Sequence, residues 1–239
     1  MRETTFRFKR FAVLNDRAAM KVGTDGVLLG AWCPEPEGAA GGAPRVLDVG
    51  TGSGLIALML AQRCPTAAID AIDIDTEAVA EARVNVANSP WAERIAVAEA
   101  DFATMAVEAE RYDLVVSNPP FFVGLQSPDA RRAQARSSAS LAPRQLVAQA
   151  AAMLRQGGRL AVVYPQTMKP ELTALAIEHG LSVERVTDVA TRPGLPPKRF
   201  LAAFRKGPVP APLFDTLTLE APDHTRSPQY TALTAAFYL

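Results

Sequence analysis

Val46-Leu47-Asp48-Val49-Gly50-Thr51-Gly52-Ser53-Gly54 is the stretch on which the fold turns. A short aliphatic run ends in three alternating glycines, and Leu55–Arg63 (LIALMLAQR) then carries apolar residues at helical spacing until Pro65. A strand, a glycine turn and a helix open a βαβ unit, in which backbone can approach a ligand at the helix N-terminus. The same rhythm continues outward. Ala68–Asp73, Ile95–Ala98, Tyr112–Ser117 and Arg159–Tyr164 read as strands, and Thr76–Val86 and Pro143–Leu154 as helices. A helix near Lys169–His179 and strands near Leu181–Val189 and Arg199–Arg205 complete the set. Continuous apolar strands joined by helices imply a largely parallel sheet covered on both faces, a doubly wound α/β fold.

The chain has 239 residues, 49% of them hydrophobic and 21% charged, values that suit one large globular domain with appendages. Two Pro/Gly-rich joints, 34–44 (PEPEGAAGGAP) and 206–212 (KGPVPAP), suggest the divisions 1–33, 34–206 and 207–239. No apolar run reaches the length of a membrane span, and Met1-Arg2-Glu3 opens no signal peptide, so a cytoplasmic location without membrane contact is expected. Cys33 and Cys64 are too few for a disulfide framework and read as small packed residues. His179 and His224 are far apart, so no metal is expected.

Lys+Arg and Asp+Glu are equal at 25 each, but they are unevenly distributed. Residues 1–21 carry a net +4 and residues 46–113 a net −8, while 192–206 holds five basic groups and no acid. One basic face towards an anionic partner would produce this segregation, and so would charges that are merely solvated.

The glycine spacing selects the cofactor class. A dinucleotide fingerprint, Gly-x-Gly-x-x-Gly, needs its third glycine where Leu55 stands. Asp48, just before Gly50, Gly52 and Gly54, would repel a pyrophosphate but attract an ammonium group. S-adenosylmethionine, with an amino-acid end and no phosphate, fits better; a tight turn without ligand is the plainer alternative. Asp73, 25 residues after Asp48, is placed to accept ribose hydroxyls. Asp101 is placed to receive the adenine amino group with Phe102 beside the ring, and Asp75 to cap the next helix. Acids at three successive strand ends lie where an open α/β sheet binds its ligand.

Ser117-Asn118-Pro119-Pro120-Phe121-Phe122 follows the fourth strand. Two prolines fix the backbone there and remove two donors. The Asn118 side-chain oxygen and the Pro119 carbonyl can together accept both hydrogens of a planar amine. Holding those hydrogens out of plane concentrates the nitrogen lone pair and aims it at an electrophilic methyl. Phe121 offers a face on which a flat base or amide stacks. A rigid turn with a packed Phe is the bland alternative.

With Asp48-x-Gly50-x-Gly52-x-Gly54, Asp73, Asp101 and Asn118-Pro119-Pro120-Phe121, the chain resembles the class I SAM-dependent methyltransferases that modify exocyclic or amide nitrogens. The segments 6–11 (FRFKRF), 16–32 (DRAAMKVGTDGVLLGAW), 89–95 (SPWAERI) and 230–239 (YTALTAAFYL) resemble one subfamily over nearly the whole chain. It is the bacterial enzymes that methylate the exocyclic amine of the adenine next to the anticodon of valine tRNA. The resemblance implies a Rossmann-like sheet with one antiparallel strand near its C-terminal end and short terminal additions. It implies that Lys21 and Thr24, in a segment lying over the cofactor, contact the carboxylate end. Phe121 stands where the family usually has Tyr, which leaves stacking intact.

A base beside an anticodon must be swung out to reach such a pocket. Arg131, Arg132, Arg136, Lys198 and Arg199, with Arg7, Lys9 and Arg10, are the candidate contacts to the anticodon stem-loop. The enzyme is expected to act as a monomer. Methylation of a protein glutamine amide or of another RNA, and a SAM-binding RNA module without chemistry, are the competing readings.

Overall fold

The computed structural model describes residues 4–18, 20–38, 42–120 and 141–239. An eight-stranded sheet forms the centre. Its strands are β3 (Arg45–Val49), β4 (Ala68–Asp73), β5 (Ile95–Glu99), β6 (Tyr112–Ser117), β7 (Leu154–Pro165), β8 (Leu181–Ala190), β9 (Arg199–Lys206) and β10 (Leu213–Thr218). Their spatial order is β10-β8-β9-β7-β6-β3-β4-β5. Only β9, antiparallel to both β7 and β8, runs against the rest. The expected α/β sheet with one reversed strand near its end is therefore present. β7 begins five residues before the strand expected at Arg159, because Leu154 already pairs with Tyr112 ahead of an irregularity in the register.

Side chains alternate across each strand. Val46, Leu114 and Val116 join a core shared with α2 (Leu55–Arg63) and α3 (Thr76–Ala87). Leu47, Val49 and Val115 face a second core with α4 (Pro143–Met153) and α5 (Lys169–Glu178). Every residue of β6 is buried, and each such aliphatic side chain contributes about 1.5–3 kcal/mol.

The N-terminal region holds two elements that periodicity did not reveal. Thr5–Arg7 (β1) and Ala12–Leu14 (β2) form an antiparallel hairpin, and Thr24–Trp32 (α1) is a nine-residue helix. Residues 26–32 are buried on every side, so α1 has no polar face to give a helical period. Its glycines set its packing distance. A Cβ on Gly30 would sit 2.7 Å from Met59 Sδ and 3.1 Å from Met59 Cβ. Gly30→Val therefore overpacks the α1–α2 seam, at a cost of about 1–3 kcal/mol. A lowered denaturation midpoint with an unchanged m-value would show it; an unchanged midpoint would contradict this packing.

The chain ends meet. α6 (Pro228–Thr234) is capped by Ser227, whose hydroxyl accepts the Tyr230 N–H at 3.0 Å, and Lys9 N donates to Phe237 O at 2.8 Å. The Tyr238 ring lies 6.2 Å from Phe6 and 5.9 Å from Phe8. The two terminal blocks thus form one aromatic cluster. Trp32 Nε1 donates to Thr187 at 2.8 Å, and Arg185 pairs with Asp215 at 2.7 Å, joining α1, β8 and β10.

β3 lies between β4 and β6, so successive crossovers leave it in opposite directions. This switch point opens a crevice beyond the carboxyl ends of β3 and β6. Val49 is in register with Ser117, and the Ser117 hydroxyl donates to Val49 O at 2.9 Å. The glycine loop and Asn118 are therefore brought side by side.

Candidate active site

Gly50, Gly52 and Gly54 all have positive φ (70°, 57° and 83°), which explains the alternation. A Cβ on Gly50 or Gly52 would meet nothing within 4 Å, so open space lies over the loop. The loop amides turn away from that space. Gly50 N and Thr51 N both donate to Ile72 O at 2.9 Å, Gly52 N donates to Asp73 Oδ2 at 2.8 Å, and Gly54 N to Thr51 O at 2.9 Å. A phosphate would find those donors already used, which agrees with the argument against a dinucleotide.

Asp48 lies beneath the loop and is wholly buried. Its Oδ2 accepts from the Thr51 hydroxyl at 2.6 Å and from Ala57 N at 3.1 Å, while Oδ1 is buried without a hydrogen-bond partner. Burial pushes its carboxyl up to about 7, against the two hydrogen bonds, which lower it. In this enclosure Asp48 touches no surface from which a ligand could approach, so its attraction for an ammonium acts through space. Burial also raises Asp73, and the backbone donors Asp75 N at 3.0 Å, Gly52 N and Ile74 N oppose the shift. Ala100 N donates to Asp73 O at 2.9 Å, which sets Asp101 next to Asp73. Asp101 accepts from Ala103 N at 2.9 Å and remains half-buried. Asp75 caps α3 as expected, through Glu77 N at 2.9 Å.

Phe102 differs from expectation. Its ring is 4% exposed and packs in the core cluster that contains Val49 and Ile72, so it braces the loop and offers a ligand almost no face. Asn118 is half-buried, its Nδ2 donating to Met20 Sδ at 3.4 Å, and its Oδ1 is buried without a hydrogen-bond partner. Pro119 is buried and Pro120 exposed. Phe121 and the arginines 131, 132 and 136 lie outside the described residues.

Lys21 and Thr24 are both exposed. The Lys21 ammonium donates to Asp16 O at 2.8 Å, and Thr24 begins α1. Lys198 is exposed, one residue before β9. The Arg199 guanidinium forms an ion pair with Asp25 and is a quarter exposed. Arg7, Lys9 and Arg10 are exposed. Lys9 Nζ donates to Ala235 O at 2.7 Å, and Gln62, near the C-terminus of α2, donates to the adjacent Ala236 O at 2.8 Å. The glycine loop lies at the other end of α2, about 13 Å away at 1.5 Å per residue.

Sequence reading missed Glu81 and Asn85, both buried on α3. Their four-residue spacing on the face shared with Ala78, Ala82 and Val86 was the available signal, since polar groups on a buried face need partners. Asn85 Nδ2 bonds Leu14 O at 3.0 Å and Ser53 O at 2.8 Å, tying the hairpin to the glycine loop. Among the described residues no group of three or more His, Cys, Asp or Glu could hold a metal. Nor is any of their helices long and apolar enough to cross a membrane.

The residues present fit S-adenosylmethionine. Open space lies over a glycine loop whose Gly50, Thr51, Gly52 and Gly54 amides are already used, acids stand at three strand ends, and Asn118 follows the strand paired with β3. Relatives point the same way. The methyltransferase small domain family matches residues 38–187. A tRNA1(Val) (adenine(37)-N6)-methyltransferase of Parabacteroides distasonis is 45% identical over 98% of this chain and 97% of its own. One of Cronobacter sakazakii is 45% identical over 100% of this chain and 96% of its own. A crystal structure from Agrobacterium tumefaciens, described as a predicted O-methyltransferase, is 23% identical, covers 89% of this chain and 96% of its own, and superposes with a TM-score of 0.71. That last likeness speaks for the fold alone. Taken with full-length identity to the first two, it leaves one assignment: the chain belongs to the methyltransferase small domain family and, within it, to the tRNA1(Val) (adenine(37)-N6)-methyltransferases.

Proposed function

We propose that the protein transfers a methyl group from S-adenosylmethionine to the exocyclic amine of adenine 37 in a valine tRNA. The observation that carries this reading is the unpartnered, buried Asn118 Oδ1 at the switch point, beside the glycine loop. The cofactor supplies an electrophilic methyl. The chain's own part is to orient the acceptor. Asn118 Oδ1 and the Pro119 carbonyl take the two amine hydrogens, the nitrogen lone pair faces the methyl, and Phe121 stacks on the flipped base. Asp73 and Asp101 hold the nucleoside end of the cofactor, and Lys21 and Thr24 its carboxylate end. The names of the relatives favour adenine over a protein glutamine amide.

In this reading residues 1–33 are the lid and substrate segment, 34–206 the cofactor-binding core and 207–239 an extension packed on it. The enzyme works as a cytoplasmic monomer. Arg131, Arg132 and Arg136 contact the anticodon loop. Arg7 and Arg10, exposed in the same N-terminal block as Lys9, contact stem phosphates. Replacing both by Ala should weaken tRNA binding and flatten its log–log salt slope by about one per lost contact, with SAM affinity unchanged. An unchanged slope removes them from the interface.

The direct test incubates the purified protein with labelled S-adenosylmethionine and unmodified total tRNA, followed by nucleoside analysis and mapping. Label should appear as N6-methyladenosine at position 37 of a valine tRNA. Cofactor binding without label in tRNA would overturn the substrate.

A further inference from the structure

Residues 16–25 connect the hairpin to α1 and bring Met20 against Asn118. Nothing in their sequence favours a regular element, yet their described part is held at both ends by side chains from distant elements. At one end Glu81 of α3 accepts three successive backbone N–H groups. Asp16 N and Arg17 N both lie 2.7 Å from Oε2, and Ala18 N lies 3.2 Å from Oε1. Glu81 is only 3% exposed, so these bonds form in a poorly solvated setting where each is strong. At the other end Asp25, in the first turn of α1, pairs with Arg199 at the start of β9. Between them Val22 N donates to Asn15 Oδ1 at 2.9 Å, closing the segment into a loop.

We propose that Glu81 and the Arg199–Asp25 pair are positioning residues for the cofactor, fixing this segment as a strap across the space above the glycine loop. The inference rests on the reading that this site binds S-adenosylmethionine. Three features join the strap to that site. A Cβ on Gly26, next to Asp25, would lie 3.8 Å from Asn118 Nδ2, so the Arg199 anchor sits one residue from the Asn118 contact. Asn85, one turn beyond Glu81, bonds the glycine loop at Ser53 O and the hairpin at Leu14 O. Lys21 is tethered within the strap by its bond to Asp16 O, directly beside the peptides that Glu81 holds. Releasing either anchor leaves the cofactor to order the strap on binding, so the defect appears in affinity for the cofactor.

Glu81→Gln leaves one acceptor for three donors and turns an NH₂ towards them. The dissociation constant for S-adenosylmethionine should rise about tenfold or more, as loss of hydrogen bonds to a buried charged group implies. Arg199→Gln should raise it several-fold, and Arg199→Lys, which keeps the ion pair, should restore most of it. Arg144→Ala, removing the exposed pair with Glu178, is the control. The experiment is calorimetric titration of the full-length protein with S-adenosylmethionine, then steady-state methylation of tRNA at varied cofactor. KM for the cofactor should rise in both anchor variants, with kcat at saturation within about twofold of wild type. A general loss of fold would instead reduce the binding stoichiometry. Folded Glu81→Gln and Arg199→Gln proteins that bind like wild type overturn the proposal alone. Wild type that binds no S-adenosylmethionine overturns the proposed function with it.

Discussion

Asn118→Ala is expected to lower kcat for tRNA methylation by about two to three orders of magnitude, the usual loss when a preorganised polar partner of the reacting group is removed. The nitrogen of adenine is a poor nucleophile because its lone pair is delocalised into the ring. Two acceptors drawing its hydrogens out of the plane remove that delocalisation. Asn118 supplies one of them from a side chain whose Oδ1 has no hydrogen bond to give up when it accepts an amine hydrogen. The Pro119 carbonyl remains in the variant, which sets the residual rate. Asn118→Asp keeps two acceptor oxygens at the same position and should retain more activity than Ala. Binding of S-adenosylmethionine should fall much less than the rate in both, because Asp73 and Asp101 hold its nucleoside end and Lys21 and Thr24 its carboxylate end. Single-turnover methylation with saturating enzyme measures the chemical step. A rate within about fivefold of wild type in Asn118→Ala would sink the orienting role.

The core fold was legible because its signals are local. β3 through β6 are aliphatic runs followed by acids, glycines or prolines, and each begins or ends within a residue or two of where its pattern does. Asp48, Asp73, Asp101 and Asn118 could be ranked in advance because a parallel sheet delivers all its strand ends to one edge. What stayed hidden depends on contacts between distant residues. α1 carries no period because every side of it is covered, and its two glycines argue locally against a helix. Arg199 was an unpaired basic residue in the sequence and is the partner of Asp25 in three dimensions, 174 positions away. Phe102 was expected to face a ligand, yet packing with Val49 and Ile72 turns it into the core, a choice between two apolar environments that no local pattern encodes. The terminal aromatic blocks could be seen as distinctive; that they are one cluster only the fold reveals.

Asp48→Asn should separate stability from binding. The Asp48 carboxyl is raised by burial to about 7, from 3.8 in an unfolded chain. The folded protein therefore binds the proton more tightly than the unfolded one. The sign follows: any stability this group lends is fully present below pH 3.8 and is lost as pH rises from there through 7. Above pH 7 the buried charge costs about 4 kcal/mol by the same linkage. Asparagine has no charge to bury and keeps one oxygen for Thr51 and Ala57. The variant without cofactor should accordingly be more stable than wild type at pH 8, by up to a few kcal/mol, with the gap narrowing towards pH 4. Its amide nitrogen replaces the unpartnered oxygen and takes back part of that gain. Cofactor binding should change in the opposite sense. An ammonium near the loop favours the ionised carboxylate, so wild-type affinity for S-adenosylmethionine should climb from pH 5.5 to about 7 and level off. Part of a proton is then released on binding at pH 6, seen as a dependence of the binding heat on buffer ionisation. Asp48→Asn should bind about ten- to a hundredfold more weakly at pH 7.5, with a flat profile over this range. Thermal melts at pH 5 and 8 and titrations in two buffers provide the readings. A variant that binds like wild type, or melts lower at pH 8 than at pH 5 relative to wild type, would remove the buried charge of Asp48 from the account of cofactor recognition.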